Sequence, residues 1–595
     1  MSLVERRRPA FDAELLARAG LAWLLVCAVL LATNAGAVLS GRFPDPDDAL
    51  RLIQVRDLIA GQGWFDLTQH RIDAAHGGTL MHWSRLVDLP LAGLILLLKP
   101  LIGQPLAESV TIVAVPLLTL GCAMLLAGRI AWRLIGSEAA SFACLALALS
   151  VPVIGQLRPL RIDHHGWQIV LALVAVNALM ARNARKGGWI AGLALAAWLA
   201  ISLEGLPMAL AVAGVAALRW LRTRDRGWLV GLVQGLAAGS LALFAATRGF
   251  GDLGAHCDAV SPVHLWAFAW GAFALTALAR VRMLQPVAVL AGFALIAGVA
   301  LALFALAAPQ CTTGTFDMLD PVVRRFWYDN VGEGLPVWRQ DAATLLQTVL
   351  PPLVGLWACR KLALGSREWL RVWWTEYMLL LGAALVLAVF VTRAGAVAGA
   401  LAAVPLGWQL KQWLAAVQRR SPPRRRIAAL AAAVLAMLPA LPLTLLGLAA
   451  PLRAQPAARP MLGPPPRAST CRIPEAAAAL RALPRGNVLA PLDIGPRLLL
   501  ETGHGVVATG HHRAATAMRA VIDAFTGTPE AARQVAARYQ VQYLAFCGDL
   551  AEPAVYADAA PDGFAAQLRA GQVPQWLEPV AMPAGVNLKV WRVVG

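Results

Sequence analysis

Phe43-Pro-Asp-Pro-Asp-Asp48 follows directly on an apolar run from Gly20 to Ser40. A run of about 20 apolar residues is long enough to cross a bilayer. Three carboxylates, Asp45, Asp47 and Asp48, therefore stand within a few residues of a membrane edge. Acids prefer water, so a cluster there suggests a bound cation or a proton-handling site. The alternative is a solvated turn, since Pro44 and Pro46 break regular structure and Asp is a common turn residue. The choice depends on whether other parts of the chain bring matching groups to the same side.

Composition supports the membrane reading. The 595 residues are 58% hydrophobic and 14% charged, with a mean hydropathy of +0.62. A soluble chain of this length could not bury so much apolar surface. The net charge of +18 does not point to nucleic acid, because the basic residues form short clusters between apolar runs, the pattern that orients membrane helices. Arg6, Arg7 and Arg8 precede the first run, which is read as a retained span rather than a cleaved signal peptide.

Thirteen runs qualify as spans, near 20–40, 108–131, 136–155, 166–182, 186–202, 204–221, 228–248, 260–280, 285–308, 344–360, 374–392, 394–416 and 426–451. The run 86–103 is short and broken by proline, and is expected as a re-entrant or interfacial helix. With the N-terminus in the cytoplasm, the Arg and Lys clusters around 129–133, 182–186, 219–226, 280–282, 360–371 and 419–426 all fall inside. The bias does not invert along the chain. The expected fold class is a multi-pass α-helical membrane protein of about thirteen transmembrane helices with a C-terminal soluble α/β domain. Its membrane domain spans 1–452, with outer loops 41–107, 156–165 and 309–343. A Pro-rich linker covers 453–466, and the soluble domain 467–595. In that domain Glu475–Ala482 reads as a helix, and Asn487–Ala490, Gly505–Ala508, Val541–Phe546 and Leu588–Val594 read as strands.

The eight cysteines form no C-x-x-C, which argues against a zinc site. If the outer loops meet an oxidising compartment, Cys257 can pair with Cys311 and Cys471 with Cys547.

Polar islands recur on the outer side. Arg161-Ile-Asp-His-His-Gly-Trp167 lies between two spans. Asp163 and His165, two apart, can face one ion from an extended backbone; both suit Mn2+ or Zn2+, and Asp alone suits Mg2+. Alternatively Asp163 caps a helix starting near Gly166. Asp329-Asn-Val-Gly-Glu-Gly-Leu-Pro336 sets Glu333 between glycines, where backbone freedom lets a carboxylate approach a ligand. Arg393 lies between two adjacent spans and requires a partner at that depth; a lipid phosphate would serve, and so would snorkelling to the interface. His82, Trp83 and Arg85 precede the short apolar run and could bind acceptor or sugar, or simply anchor at the interface.

The order of these islands resembles the catalytic subunit of oligosaccharyltransferases, within the GT-C superfamily of polyprenol-dependent membrane glycosyltransferases. That family carries an Asp in its first outer loop followed about ten residues on by Arg-Asp, as Asp47 precedes Arg56-Asp57. It has a D-x-D-like motif, which falls on Asp163-His-His165, and a Glu motif resembling Val331-Gly-Glu-Gly334. Its donor-contacting Arg falls on Arg393. Its acceptor-reading W-W-D-Y-G motif falls on Pro491-Leu-Asp-Ile-Gly495, without the tryptophans and tyrosine, with His511-His-Arg513 further on. The resemblance implies a metal-dependent glycosyltransferase using a polyprenyl-phosphate or -diphosphate donor at the outer side of a bacterial inner membrane. It implies Asp47, Asp48 and Glu333 as catalytic groups. A divalent cation, Mn2+ or Mg2+, would be held by Asp47, Asp163, His165 and Glu333, and the donor phosphate by Arg393. Substrate contacts would come from His164, His82, Trp83, Arg85, Asp493, His511, His512 and Arg513. The acceptor would be protein, lipid or glycan. A flippase for a lipid-linked sugar is the competing expectation, although no inverted repeat supports it.

Overall fold

A computed structural model describes residues 11–281, 285–314, 316, 319–418, 422–449 and 471–594. The Arg6–Arg8 cluster and the linker 453–466 lie outside them. Among the described residues, eight helices are long and apolar enough to cross a membrane: Ala13–Leu39, Gln104–Leu134, Leu203–Thr223, Gly227–Thr247, Pro262–Arg280, Pro286–Ala307, Ala342–Gly365 and Glu368–Phe390. The other five expected spans also coincide with helices, but shorter or more polar ones. These are Ser137–Leu149 with Val151–Gly155, then His165–Ala178, Ala184–Ile201 and Gly395–Gln418, and finally Pro423–Met437 with Leu441–Ala449. The run 86–103 is one helix, Arg85–Ile102, that contains Pro90 and Pro100.

The chain divides into two compact units. The first comprises residues 11–42, 83–314 and 332–449. Its core runs continuously from Leu120 and Ile169 through Trp198 to Tyr377 and Leu401. Pairs of neighbouring helices close directly on one another. The helices Ala184–Ile201 and Gly227–Thr247 approach so closely that a Cβ on Gly231 would stand 2.5 Å from the Arg185 carbonyl oxygen, and one on Gly235 2.6 Å from that of Trp189. Small residues permit such contact where lipid gives helices no hydrophobic reason to associate. The Cys257–Cys311 disulfide, with Cα atoms 5.1 Å apart, joins loops separated by two helices, Pro262–Arg280 and Pro286–Ala307. Both loops therefore lie on one face, as the expected topology requires.

The second unit is not the C-terminal domain alone. Residues 43–82 and 316–331, expected as loops of the membrane domain, group with 471–594. The reason is direct bonding. Val506 N donates to the Arg71 carbonyl (2.8 Å) and Asp73 N to that of Val506 (3.0 Å), while Arg519 pairs with Asp320 at 2.9 Å. Residues 43–82 form the helix Pro46–Ile59 and a two-stranded ribbon, β1 (Thr68–Gln69) against β2 (Thr79–Leu80). The C-terminal region carries β3 (Asn487–Leu489), β4 (Gly505–Val506), β5 (Val541–Phe546), β6 (Leu577–Val580) and β7 (Lys589–Val593) in the order β4-β3-β5-β7-β6. β3 is parallel to β4 and β5, while β7 runs antiparallel to β5 and β6. The α/β class expected for this region is observed. Helices pack Phe525, Tyr556 and Phe564 against Leu544 and Phe546 of β5. Cys471 and Cys547 are bonded, 5.9 Å apart at Cα and 76 residues apart in sequence. A bridge closing a loop of that length constrains the unfolded chain by about 4 kcal/mol. Cys471→Ser should accordingly lower the unfolding midpoint of the purified chain, as read by differential scanning fluorimetry in non-reducing buffer, and reductant should reproduce the loss in the wild type.

Candidate functional site

The membrane unit gathers its acids and bases at one end of the bundle. Asp163 is not the cap of the following helix. That helix runs His165–Ala178, its N-cap is His164, and the cap makes no side-chain bond. Asp163 is instead turned inward, 3% exposed. Its Oδ1 lies 2.6 Å from His164 Nδ1 and its Oδ2 3.4 Å from His165 Nε2. The extended backbone expected for this D-x-H pair is absent, because His164 is already helical (φ −75°, ψ −15°). The side chains meet at a helix start rather than along a strand.

Glu333, on the short helical turn Gly332–Gly334, reaches the same place. Its Oε1 stands 3.6 Å from His165 Nε2 and 3.5 Å from Arg393 Nη1, and its Oε2 3.4 Å from Arg161 Nη2. Burial raises the pKa of this carboxyl. The His165 hydrogen bond and the charges of His165, Arg393 and Arg161 outweigh burial and hold it well below the ordinary carboxylate range. Arg393 also bonds Glu204. Gln156 Oε1 accepts from Arg161 Nε at 2.9 Å and fixes that guanidinium. The His165 ring is held from behind. Trp198 Nε1–H, which can only donate, bonds Gln168 Oε1 at 2.9 Å, so the Gln168 amide nitrogen faces His165 Nδ1 at 3.3 Å. Nε2 is left facing the two carboxylates.

These groups come from segments that precede His165–Ala178, precede Leu206–Thr223, follow Pro286–Ala307 and follow Glu368–Phe390. Two, four and two helices of the membrane unit separate successive members, all even numbers. Contact among them requires an even number of crossings between successive members, and the expected spans from 166 to 392 supply that.

The residues fit a divalent cation. Asp163, His164 and His165 each offer a ligand atom within 4.8 Å of the others, all three buried. Carboxylate with imidazole is a donor set for Mn2+ or Zn2+. Arg161 and Glu204, which received no role from the sequence, are part of the arrangement. The signal for Glu204 was an acid in Ser202-Leu-Glu-Gly205, between two apolar runs on the side carrying the other islands.

Trp83 and Arg85 do not join the cluster. They are 2% and 0% exposed, and Arg85 Nη1 pairs with Asp88 Oδ2 at 3.2 Å. The pair ties the arginine to the first turn of its helix.

The remaining candidates belong to the second unit. Asp45 caps the helix Pro46–Ile59 by accepting from Asp47 N at 2.9 Å, and Pro46 opens the helix. The stretch is therefore an ordered helix start rather than a loose turn. Asp48 is fully buried and Asp47 half-buried. His82, His511 and His512 converge, with ligand atoms within 4.8 Å of one another, His82 Nδ1 3.0 Å from His511 Nε2, and the rings of His511 and His512 stacked. Arg513 is on the same helical turn. Asp493 sits between β3 and the helix Gly495–Glu501, as the motif reading requires. Its loop is pinned by a residue the sequence did not reveal. Glu552 Oε1 accepts from Leu492 N (2.7 Å) and Oε2 from Asp493 N (2.8 Å), and Tyr556 OH bonds the same carboxylate.

The fold is shared with solved structures of the oligosaccharyltransferase AglB from Archaeoglobus fulgidus. The complex with an inhibitory peptide and a dolichol-phosphate aligns with a TM-score of 0.66 at 13% identity, over 94% of this chain and 72% of that one. The likeness is one of fold. The apo form gives 0.66 at 15% identity over 95% and 73%. The complex with Zn and sulfate gives 0.60 at 13% identity over 92% and 70%. No protein-family model and no curated protein matches the chain. The fold expected from the motif order, that of the oligosaccharyltransferase structures, is thus present.

Proposed function

We propose that the protein is a membrane glycosyltransferase that moves a sugar or oligosaccharide from a polyprenyl-phosphate or -diphosphate donor to an acceptor. The observation that carries this reading is the convergence of Asp163, His165, Glu333 and Arg393 at one end of a helical bundle with the oligosaccharyltransferase fold. The neighbour solved with a dolichol-phosphate supports a lipid-linked donor, and the one solved with Zn and sulfate supports a cation and an anion in this fold. The two disulfides fit an oxidising compartment, and the arginine clusters favour a cytoplasmic N-terminus. Together they favour the bacterial inner membrane with the cluster on the periplasmic side.

In the reaction an acceptor nucleophile attacks the anomeric carbon. The C–O bond to phosphate breaks, and its electron pair leaves on the polyprenyl phosphate. Arg393 binds the phosphate oxygens. Asp163, His165 and Glu333 would hold a divalent cation, Mn2+ or Mg2+, whose charge stabilises the developing negative charge. In the absence of the cation His165 Nε2 shares its proton with the carboxylates, so cation binding has to displace that proton. Glu204 restrains the Arg393 guanidinium, and Arg161 restrains Glu333. The motif pattern assigns the nucleophile's proton to Asp47 or Asp48. Partial exposure favours Asp47 as the base.

Asp493 and the histidines His82, His511 and His512 are assigned to the acceptor. Since Glu552 holds the Asp493 loop, Glu552→Ala should raise the acceptor KM about tenfold while leaving kcat within a factor of about two, the pattern of lost ground-state positioning. Steady-state kinetics with varied acceptor measures this.

Incubation of purified protein with a lipid-linked sugar separates transfer from flipping. Release of free polyprenyl phosphate dependent on acceptor is expected, and movement of intact donor without release would establish the flippase reading instead.

A further inference from the structure

At the end of the bundle opposite this cluster, the membrane unit carries an open pocket of about 470 Å³. It lies among the last turns of Gln104–Leu134, His165–Ala178 and Leu206–Thr223 and the first turns of Gly227–Thr247 and Glu368–Phe390. The 18-residue helix Leu206–Thr223 separates the two ends by about 27 Å, close to the thickness of the hydrocarbon core. Arg133, Arg182, Arg219 and Arg222 line the cavity, and Trp228 and Trp369 supply aromatic walls.

The charges there do not balance. The buried carboxylate of Glu376 is committed to Arg219, at 2.8 and 3.0 Å, with Arg222 at 4.0 Å. Asp225 Oδ1 accepts from Gly227 N at 2.9 Å, at the start of the next helix. Arg133 and Arg182 make no ion pair among the described residues. Arg219 stacks on Trp228, 4.3 Å from the ring centroid, which fixes one guanidinium plane within the wall. Guanidinium groups at a membrane end, over an apolar floor, match one chemistry: anionic phosphate oxygens carried on an apolar body.

We propose that this cavity binds a phosphate-bearing headgroup, that of an anionic phospholipid lying with its acyl chains along the helices. Arg133 and Arg182 would supply the counter-charge, and Trp369 would pack at the glycerol level, where tryptophan favours the interface. Such a site would tie the bundle to one leaflet at the end away from the acidic cluster.

The test is native mass spectrometry of the full chain in neutral detergent, titrated separately with phosphatidylglycerol, phosphatidylcholine and inorganic phosphate. Wild type should hold one phosphatidylglycerol at least about tenfold more tightly than phosphatidylcholine. The double variant Arg133→Ala/Arg182→Ala should weaken phosphatidylglycerol roughly 30-fold, from the loss of two basic contacts. Val372→Trp fills the cavity, keeps every charge and should weaken it comparably. Displacement of phosphatidylglycerol by millimolar inorganic phosphate in wild type but not in the double variant would assign the same residues to the free ion. Equal affinity for the two lipids, or a folded double variant that keeps wild-type affinity, would overturn the proposal.

Discussion

Purified Asp163→Ala and Glu333→Gln proteins should each lose about a thousandfold in donor turnover, measured as polyprenyl phosphate released, while eluting as folded monodisperse protein. Removing one preorganised electrostatic contact to a developing charge typically costs this much. Glu333 is the sharper case, because one carboxylate faces His165, Arg393 and Arg161 together. The glutamine keeps the shape and removes the charge. If Glu333 served only to neutralise three neighbouring cations, the variant would lose stability rather than turnover, and its unfolding midpoint would fall while activity per folded molecule remained. Full turnover in both variants would dismiss the cluster as a catalytic centre.

The second large effect is structural. Gly192→Leu should sharply lower the folded yield and cost about 3 kcal/mol or more in unfolding free energy, the upper range for overpacking. A Cβ at Gly192 runs into the Leu232 carbonyl oxygen, and one at Gly188 into that of Trp228. Both obstacles are backbone and cannot rotate away. The two helices would have to separate along their whole contact, made by Gly188 and Gly192 on one side and Gly231 and Gly235 on the other. Reversible unfolding in mixed micelles measures the cost, with Gly214→Leu as control, since nothing stands within 4 Å of its added carbon. Equal stability of the two variants would show that the close approach contributes nothing.

Most of the span pattern was legible because twenty apolar residues announce a crossing without any knowledge of neighbours. The site was legible in part. Asp163, His165, Glu333 and Arg393 stood out as polar residues in apolar surroundings. Glu204 carries the same signal, but its pairing with Arg393, 189 residues away, is encoded in no local pattern. The four-residue glycine spacing was in plain view and signals helix contact, but only the structure shows which helix lies opposite. Strand β6, Leu577-Glu-Pro-Val580, escaped because it is short and contains proline. Such a strand is tolerated at a sheet edge, where it indeed lies. The boundary at 452 misplaced residues 43–82, since hydropathy records proximity to a membrane and carries no information on the Arg71–Val506 bonding that joins them to the sheet.

Binding of Mn2+ to the purified full chain, followed by electron paramagnetic resonance, tests the central claim most directly. One tightly held ion per wild-type chain is expected, with affinity weakened at least about 100-fold in Asp163→Asn. Wild-type protein that holds no Mn2+, or an Asp163→Asn variant that holds the ion as tightly as wild type, would contradict it.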